Sequence, residues 1–423
     1  MKELLEEHRR MKNKKHEVLF LHRYFYPEYV TSASLAYDVA EALVKDGINV
    51  SVLCGYPKEY TAFEKVPTRE EHNGMKIRRI RYIQANRKSF IGRLVNYFSF
   101  TIAVLSRLFT LRNYELIIVY SDPFVLPIVP ALSSVFFKNK FVYVCYDVYP
   151  EIAHVTGILS KRSLIAKAAN WVNNIVFRHV EKVVVLSSEM KEFLLKSRPT
   201  LLPEKVEIIP NWFESKDQMD SYDKEIEGKI QTIKSENTLV VGYFGNMGIA
   251  QDMDTLIEAA RTLKNHENIK FLLAGHGVKM TEIKSIVQSE KLENVIILDF
   301  LHGKQFEEAL KLSDCLVVSL SPGVVGLAVP SKTYSYMWAG RPIIAIMNEP
   351  SDITSELIQY NAGYWIKNGD VKQLVSVIEE LYNNPEKRKS MGENAKQLYL
   401  QKYTKEKCTA EYVKLVKDII GRE

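Results

Sequence analysis

The chain has 423 residues, of which 46% are hydrophobic and 26% charged, with a formal net charge of +6. This composition excludes a low-complexity or tandem-repeat protein, and the length favours two or three globular domains. The four cysteines are scattered and mostly lie in or beside apolar runs, which indicates reduced core residues and a cytosolic compartment: Cys54, Cys145, Cys315 and Cys408.

Residues 1–15 mix both signs of charge and lack the apolar core of a signal peptide, so we interpret them as a polar extension. Apolar runs then alternate with helical patterns. The strand candidates are HEVLFLH (16–22), NVSVLCG (49–55), KIRRIRYI (76–83), LIIVYS (116–121), FVYVCYD (141–147) and KVVVLS (182–187). Continuous apolar strands that alternate with helices predict a buried parallel sheet, and hence a Rossmann-like domain over residues 16–212.

Within this domain, residues 76–112 contain many basic side chains and no carboxylate. They are Lys76, Arg78, Arg79, Arg81, Arg87, Lys88, Arg93, Arg107 and Arg112. Such a patch favours an anionic membrane surface as partner, and the alternative is a solvated basic face. No base-reading motif accompanies it, so we do not expect nucleic acid to bind.

The apolar run LVNYFSFTIAVLSRLFTL (94–111) overlaps the basic stretch and is marginal in length for a transmembrane span. We interpret it as an amphipathic helix at the bilayer surface, and the alternative is a core helix with a basic face. The candidates for headgroup contact are Tyr97, Phe98, Phe100 and Phe109. The following run, FVLPIVPALSSVFF (124–137), is expected to pack inside the domain.

A second alternating series follows the polar stretch after VEIIPNWFE (206–214). Its strand candidates are LVVGYFG (239–245), KFLLAG (270–275), NVIILDFL (294–301), CLVVSL (315–320) and RPIIAI (341–346). They predict a second Rossmann-like domain over residues 213–400. A last helical pattern runs from about residue 386 to 420, and residues 401–423 are assigned to a C-terminal helix.

The segment SLSPGVVGLAVPSKTYSYMWAGRPIIA (319–345) combines a strand end, a glycine loop, a lysine and a helix start. Gly323 and Gly326 allow the backbone to approach a ligand, and Pro330 opens a helix at Ser331 and Lys332. The unpaired N–H groups of a helix start and the ammonium of Lys332 suit a diphosphate. The sequence therefore predicts a pyrophosphate site in this segment.

This segment resembles the donor-sugar site of retaining family 4 (group 1) glycosyltransferases, especially the bacterial polysaccharide-biosynthesis branch. The most specific matches are AVPSK, AGRPIIA, GNMG and IIPNW, and the resemblance covers nearly the whole chain after residue 16. It implies the α/β GT-B architecture, two Rossmann-like domains whose parallel sheets face a central cleft, with the C-terminal helix packed back on the first domain. It also implies retention of anomeric configuration and no obligatory metal or cofactor.

Under this resemblance, the residues after the strand ends of the second domain are donor-binding candidates. They are Gly245, Asn246, Gly248, Gly275, His276, Leu301, Val325, Gly326, Leu327, Lys332 and Ser335. The plain alternatives are a tight turn at Gly245 and Gly248, and a solvent-facing His276.

The chain departs from the family at four of the expected donor contacts. Many relatives carry Arg and Lys where this chain has Asn246 and Gln251, and acidic residues where it has Ser335 and Leu327. Recognition of the donor then depends more on Lys332, on helix dipoles and on the backbone amides of residues 325–327. Asp252 and Asp254 match the spacing of a DxD metal motif, but they open a helix and are expected to cap it instead.

Two segments of the first half also resemble the family. FYPEYVTSASLAYDVAEAL is similar to its acceptor loop and first helix, and FVYVCYDVYPEIAHVTGIL matches segments such as DLWPE at a strand end. The acceptor-binding candidates are Val30, Thr31, Ser32 and Tyr149. The catalytic candidates are Asp147, Glu151 and Lys332, with helix capping as the alternative role for the two carboxylates.

The resemblance thus implies a retaining glycosyltransferase that moves a sugar from a UDP-linked hexose or N-acetylated sugar to a lipid-linked glycan or polysaccharide at the cytoplasmic membrane face. Two alternatives stay open: a UDP-sugar 2-epimerase of the same architecture, and a catalytically silent partner of another transferase. An oxidoreductase is disfavoured because no GxGxxG follows the first strand.

Overall fold

A computed structural model describes residues 17–421, apart from residues 29, 59–60, 62–64, 87–88 and most of 216–236. The polar extension 1–15, and Arg87 and Lys88 of the basic stretch, lie outside the described residues. Two compact units are present. The first contains the described residues up to Leu186, then Lys191–Ile209 and the chain from Glu406, and the second contains Ser187–Met190 and Pro210–Lys405.

The first unit is built on an eight-stranded sheet with the order β3-β4-β2-β1-β5-β6-β7-β8. The strands are β1 Glu17–Leu21, β2 Asn49–Gly55, β3 Arg69–His72, β4 Met75–Ile80, β5 Leu116–Tyr120, β6 Lys140–Val144, β7 Lys182–Val185 and β8 Val206–Ile208. β3 pairs antiparallel with β4 and the other neighbours pair in parallel. The antiparallel pair turns at Asn73 and Gly74, both with positive φ, as a tight hairpin requires.

Helices cover this sheet. They are α1 Thr31–Lys45, α2 Phe90–Leu105, α3 Leu108–Leu111, α4 Ile128–Phe137, α5 Glu151–Val155, α6 Leu164–His179 and α7 Ser188–Ser197, followed by a 3₁₀ turn at Pro203–Lys205. Every residue of β5 is buried, as expected for a central strand between two helical layers. α2 is capped by Ser89, whose hydroxyl accepts a hydrogen bond from the Gly92 N–H.

The second unit is built on a six-stranded parallel sheet with the order β11-β10-β9-β12-β13-β14. The strands are β9 Leu239–Asn246, β10 Ile269–His276, β11 Val295–Leu298, β12 Cys315–Ser319, β13 Ile343–Ile346 and β14 Gly363–Ile366. The winding direction reverses between β9 and β12. In open α/β sheets, ligands bind beyond the carboxyl ends of the strands at such a switch point.

The helices of this unit are α8 Asp254–Thr262, α9 Met280–Ser289, α10 Gly303–Leu312, α11 Lys332–Ala339, α12 Asp352–Gln359, α13 Val371–Asn383 and α14 Pro385–Lys402. Buried side chains form a core on each face of the sheet. Val241 and Leu273 belong to one core, and their neighbours Val240 and Leu272 to the other. Both faces are therefore covered, which explains why the strands are continuous apolar runs.

The last helix, α15 Lys405–Ile420, belongs to the first unit from Glu406 onward. Tyr412 and Val416 are buried, and the Lys140 ammonium donates to the carbonyl of Ile419 at 2.9 Å. The chain thus returns to its first unit after completing the second.

The predicted fold class is confirmed: two α/β units with parallel sheets. The apolar run 94–111 differs from its prediction, because it divides into α2 and α3 instead of forming one helix. Phe100 was predicted to contact headgroups, but it is fully buried with its ring 5.2 Å from that of Tyr82. None of the described helices has the length and apolarity needed to cross a membrane.

Arg79 and the run 124–137 also differ from their predictions. Arg79 is buried, ion-paired with Glu70 at 2.5 Å, and donates to the carbonyl of Tyr26, so it is not part of an exposed basic patch. In the run 124–137, the inner face of α4 is buried, yet Val135 and Phe136 at its end are exposed.

Candidate functional site

The candidate donor site lies at the switch point of the second sheet. β9 pairs with β12 at Val241 and Gly242, and then continues to Asn246 along β10. Lys332, the first residue of α11, reaches this edge. Its Nζ donates to the Tyr243 hydroxyl at 2.7 Å and to the Asn246 carbonyl at 3.3 Å, and lies 4.0 Å from the centre of the Tyr243 ring.

Lys332 is half-buried and its charge is held by neutral groups. Among the described residues, no carboxylate lies within ion-pairing distance of its ammonium. Burial lowers the pKa of Lys332 to about 7. Partial burial and the charge of Lys332 also lower the pKa of His276, on the adjacent strand end. An anion placed here would meet an ammonium that has no competing partner.

Tyr243 holds Lys332 in place. The phenol is fully buried beneath the lysine and its hydroxyl donates to the Asn246 carbonyl at 3.1 Å. No sequence pattern indicates this role, because Tyr243 lies inside an apolar strand and would be assigned to the core. Ser319, at the end of β12, is also buried and lies beside the Tyr243 phenol.

The loop before α11 offers main-chain donors. The N–H groups of Val325 and Gly326 form no hydrogen bond within the described part of the chain, whereas that of Leu327 donates to the Val324 carbonyl at 2.9 Å. Gly326 has φ +81°, which side chains other than glycine's rarely adopt. Two of the three predicted amides are therefore available to a ligand.

Ser335 and Leu327 are buried, so their side chains do not line an open surface. The Ser335 hydroxyl donates to the carbonyl of Lys332 at 2.8 Å, within the first turn of α11. The side chain of Leu327 and that of Leu301, another donor-binding candidate, pack in the core. Any donor contact of these residues must use the backbone.

Gln251 organises the GNMG loop in the absence of the charges typical of the family. Its Oε1 accepts hydrogen bonds from the Gly248 N–H at 2.9 Å and from the Asn246 amide at 3.3 Å. Gly245 and Gly275 lie against each other on neighbouring strands, and a Cβ on Gly275 would stand 1.9 Å from the Gly245 carbonyl oxygen. Gly275 thus serves close packing of two strand ends.

The two aspartates with DxD spacing have protein partners. Asp252 accepts from the Thr255 N–H at 3.1 Å and from its hydroxyl at 2.6 Å, which caps α8. Asp254 pairs with Lys279 at 3.3 Å. Within the described ranges, no group of three or more His, Cys, Asp or Glu side chains is arranged to hold a metal ion.

In the first unit, polar groups gather at the carboxyl ends of β1, β5 and β6. Arg23, directly after β1, forms two hydrogen bonds with Asp122, directly after β5, at 2.8 and 3.1 Å. Asp147 follows β6 and is half-buried. Burial, with a smaller contribution from Asp122, raises the pKa of Asp147 to about 6. Sequence reasoning missed Arg23 and Asp122, although both follow strand ends directly.

Glu151 and Tyr149 have structural partners. Glu151 opens α5 and pairs with the buried Arg198 at 2.8 Å. The Tyr149 ring is half-buried and stacks on Phe124 with 5.2 Å between ring centres. Of the two predicted carboxylates, Asp147 is the one that has no cationic partner among the described residues.

The three acceptor-binding candidates after β1 form the start of α1. Val30 occupies the N-cap position, and its carbonyl accepts from the Ala33 N–H at 2.9 Å. Thr31 is exposed and Ser32 half-buried. They lie at a helix N-terminus after a strand end, where polar ligands are commonly held.

Two family models match the chain. Residues 32–216 match the model described as Glycosyltransferase Family 4, and residues 224–398 match Glycosyl transferases group 1. Each matched range lies largely within one of the two compact units described above.

The chain is also similar to individual curated proteins. It is 24% identical over 291 residues to the probable glycosyltransferase WbjE of Pseudomonas aeruginosa, covering 69% of this chain and 71% of that protein. It is 25% identical to a poly(ribitol-phosphate) alpha-N-acetylglucosaminyltransferase of Staphylococcus aureus, over 42% of this chain and 35% of that one.

Solved structures share the fold over nearly the whole chain. Sucrose-phosphate synthase from Thermosynechococcus elongatus has a TM-score of 0.73 at 15% identity, covering 96% of this chain and 99% of that one. HepE of Anabaena, solved with UDP and glucose, has a TM-score of 0.70 at 16% identity, covering 95% of this chain and 100% of its own.

Proposed function

The chain belongs to the GT-B glycosyltransferases, and we propose that it transfers a sugar from a UDP-linked hexose or N-acetylated sugar to a lipid-linked glycan or polysaccharide, with retention of configuration. One observation carries the donor assignment. Lys332 presents a half-buried ammonium at the switch point of the second sheet, and its hydrogen-bond partners within the described ranges are neutral oxygens. Such a group is suited to a ligand that brings its own negative charge.

In the proposed reaction, the bond between the anomeric carbon and the diphosphate breaks, and negative charge develops on the departing diphosphate. The ammonium of Lys332, the N-terminus of α11 and the N–H groups of Val325 and Gly326 stabilise that charge. The acceptor hydroxyl attacks from the same face. We propose Asp147 as the group that contacts the acceptor and accepts its proton, because burial raises the pKa of its carboxyl and no cation in the described part of the chain pairs with it.

The proposal needs no metal and no other cofactor. Where many transferases place a divalent cation against the diphosphate, this chain offers Lys332 and main-chain donors. Activity is therefore expected to persist in EDTA. Loss of activity that added Mg²⁺ or Mn²⁺ restores would overturn this part of the proposal.

We propose that the enzyme acts as a peripheral protein on the cytoplasmic face of the membrane, where it meets its lipid-linked acceptor. Support comes from α2 and α3 within the predicted stretch 76–112. Ile102 and Phe109 are 63% and 70% exposed, and Arg81 and Arg112 are also exposed. Apolar side chains flanked by cations are typical of helices that lie in the headgroup region of anionic bilayers.

The donor assignment is tested by thermal shift with UDP-, GDP- and dTDP-sugars. A ligand at 100 times its Kd adds about 2.7 kcal/mol to the free energy of unfolding. We expect a UDP-sugar to raise the Tm of the wild type and to lose this effect in Lys332→Ala. Exposed Lys264→Ala is the matched control and should behave as the wild type. If no nucleotide sugar raises the Tm, the donor assignment is wrong.

Neither alternative is favoured by the comparisons, since the relatives reported are named as transferases. Product analysis separates them from the proposal. An epimerase would convert the UDP-sugar without an acceptor, and a silent partner would neither transfer nor hydrolyse it. Slow donor hydrolysis that is abolished in Lys332→Ala would be expected only of a transferase.

A further inference from the structure

Helix α6 exposes an apolar face outside the predicted membrane-binding stretch 76–112. Leu164 and Trp171, two helical turns apart, are 81% and 63% exposed, while Ala166, Val176 and Phe177 on the opposite side are buried. A tryptophan and a leucine at this spacing share one face of a helix. Because the inner face already anchors α6 to its unit, the outer pair does not serve the core.

The C-terminal end of α4, a helix that packs against α6, is also apolar and exposed. Phe136 is 64% exposed, and Val135 beside it is also exposed. Since α4 packs against α2 and α3 as well, it is a direct neighbour of all three helices within the first unit.

The two segments that contain α4 and α6 carry basic side chains and no carboxylate: residues 124–146 and 157–180 contain no Asp or Glu. Lys140 is exposed and lies 4.0 Å from Glu181. The other exposed cations of the two segments are Lys138, Lys161, Arg162, Lys167 and Arg178. We define the α4–α6 surface as these five cations together with Val135, Phe136, Leu164 and Trp171.

We propose that the α4–α6 surface is a second contact with an anionic lipid bilayer, beside the α2–α3 contact. The proposal rests on the peripheral-membrane part of the proposed function and extends it to residues outside 76–112. Trp171 supplies an amphipathic ring for the headgroup region, and the cations meet anionic headgroups. Charge favours lipid over a protein partner, since Lys is depleted at protein interfaces whereas anionic membranes attract Lys and Arg.

The test is sedimentation of the full chain with phosphatidylglycerol/phosphatidylcholine vesicles at low salt, with pure phosphatidylcholine vesicles as the neutral comparison. We expect Trp171→Ala and Phe136→Ala each to weaken binding to anionic vesicles about tenfold, from the lost apolar burial. Lys167→Glu should weaken it by a similar factor, because it removes one favourable charge and adds an unfavourable one. The matched control is Ile358→Ala on α12, which is 57% exposed and should bind as the wild type.

The Tm shift produced by UDP-sugar confirms that each variant is folded and keeps its donor site. If Ile102→Ala on α2 weakens vesicle binding while Trp171→Ala and Phe136→Ala do not, the α4–α6 surface makes no lipid contact and the inference is wrong. If no variant binds vesicles differently but Trp171→Ala turns a dimer into a monomer in light scattering, the surface joins two copies and the inference is also wrong. A wild type that ignores anionic vesicles removes the membrane proposal as a whole, yet leaves the donor assignment to its own thermal-shift test.

Discussion

At the scale of single residues, the properties of Lys332 follow from its place in the fold. Its neighbours are a phenol, a main-chain carbonyl and a histidine whose pKa is lowered, so nothing near it compensates the loss of water. Its pKa falls to about 7 for this reason. The arrangement leaves the ammonium ready for an anion, which would supply the missing negative charge and raise the pKa again.

Donor affinity should depend on pH through the protonation of Lys332. The free enzyme binds the diphosphate in its ammonium form, and that form is lost as the pH rises through about 7. Affinity for UDP-glucose, measured by calorimetry, should therefore fall up to about tenfold per pH unit above this value, until the complex itself deprotonates. In Lys332→Arg the charge persists across this range, so its affinity should not change with pH. A wild-type affinity that is constant from pH 6 to 9 would contradict the assignment.

Tyr243→Phe tests the support of Lys332. The substitution keeps the ring 4.0 Å beneath the ammonium and removes the hydroxyl that accepts its hydrogen bond at 2.7 Å. Because hydrogen bonds to charged groups are worth about 1.5–3 kcal/mol, donor affinity should fall roughly tenfold or more. In the Lys332→Ala background the same change should have little further effect, since the two residues act through one contact. Additive losses would show that Tyr243 acts independently.

Asp147→Asn tests the proposed proton acceptor. Asparagine keeps the shape but cannot accept a proton, so kcat should fall on the order of 100-fold while affinity for UDP is unchanged. The wild-type kcat should also decrease below about pH 6, where the carboxyl becomes protonated. A variant that retains wild-type kcat and the same acid limb would exclude this role. Thr262→Ala, an exposed position at the end of α8 in the second unit, provides a control.

At the scale of elements, continuous apolar strands were predictable and sheet edges were not. The β3–β4 hairpin was not predicted because β3 is short and polar, yet the Asn73-Gly74 pair between the two strands is a recognisable signal. β14, with the sequence GYWI, was not predicted because four residues are too few to show the hydrophobic periodicity of a strand. The division of the run 94–111 into two helices depends on packing, since Phe100 is drawn into the core.

Gly275→Ala tests the contact between the ends of β9 and β10. The new methyl group would overlap the Gly245 carbonyl, so the strands must separate, and a destabilisation of about 3 kcal/mol is expected in urea unfolding. Gly369→Ala is the control: its φ of +79° is strained for alanine but it has open space, so about 1 kcal/mol is expected. Equal losses in the two variants would mean that the strand contact is not decisive.

At the scale of the whole molecule, the end of the chain completes the first unit. Tyr412, on α15, is buried against residues that precede it by hundreds of positions, and burial raises its pKa. Tyr412→Ala should lower the free energy of unfolding by about 3–5 kcal/mol, as for other large aromatic truncations. Exposed Glu411→Ala should change it little. Hydrogen exchange should show reduced protection of the amides in β1 and β5 of the first unit. Reduced protection in β9 alone would contradict this placement.

Local sequence patterns were sufficient to predict the two α/β sheets, the glycine loop before α11 and the lysine at the start of that helix. Apolar runs, glycines and a proline are local signals, and local chemistry fixes what they form. Which polar side chains remain available to a ligand depends on the packing of the folded chain. It paired Glu151 with Arg198, turned Ser335 back onto its own helix and buried Arg79 against Glu70.

The exposure of apolar side chains at the surface likewise depends on tertiary packing. Phe100 and Phe136 both belong to apolar helical segments, but one is buried and the other exposed, because exposure depends on which elements pack beside each residue. Tyr243 became a neighbour of Lys332 only when residues 89 positions apart met at one sheet edge. Composition and periodicity carry no record of such pairings, since they arise from the order of strands in the sheet.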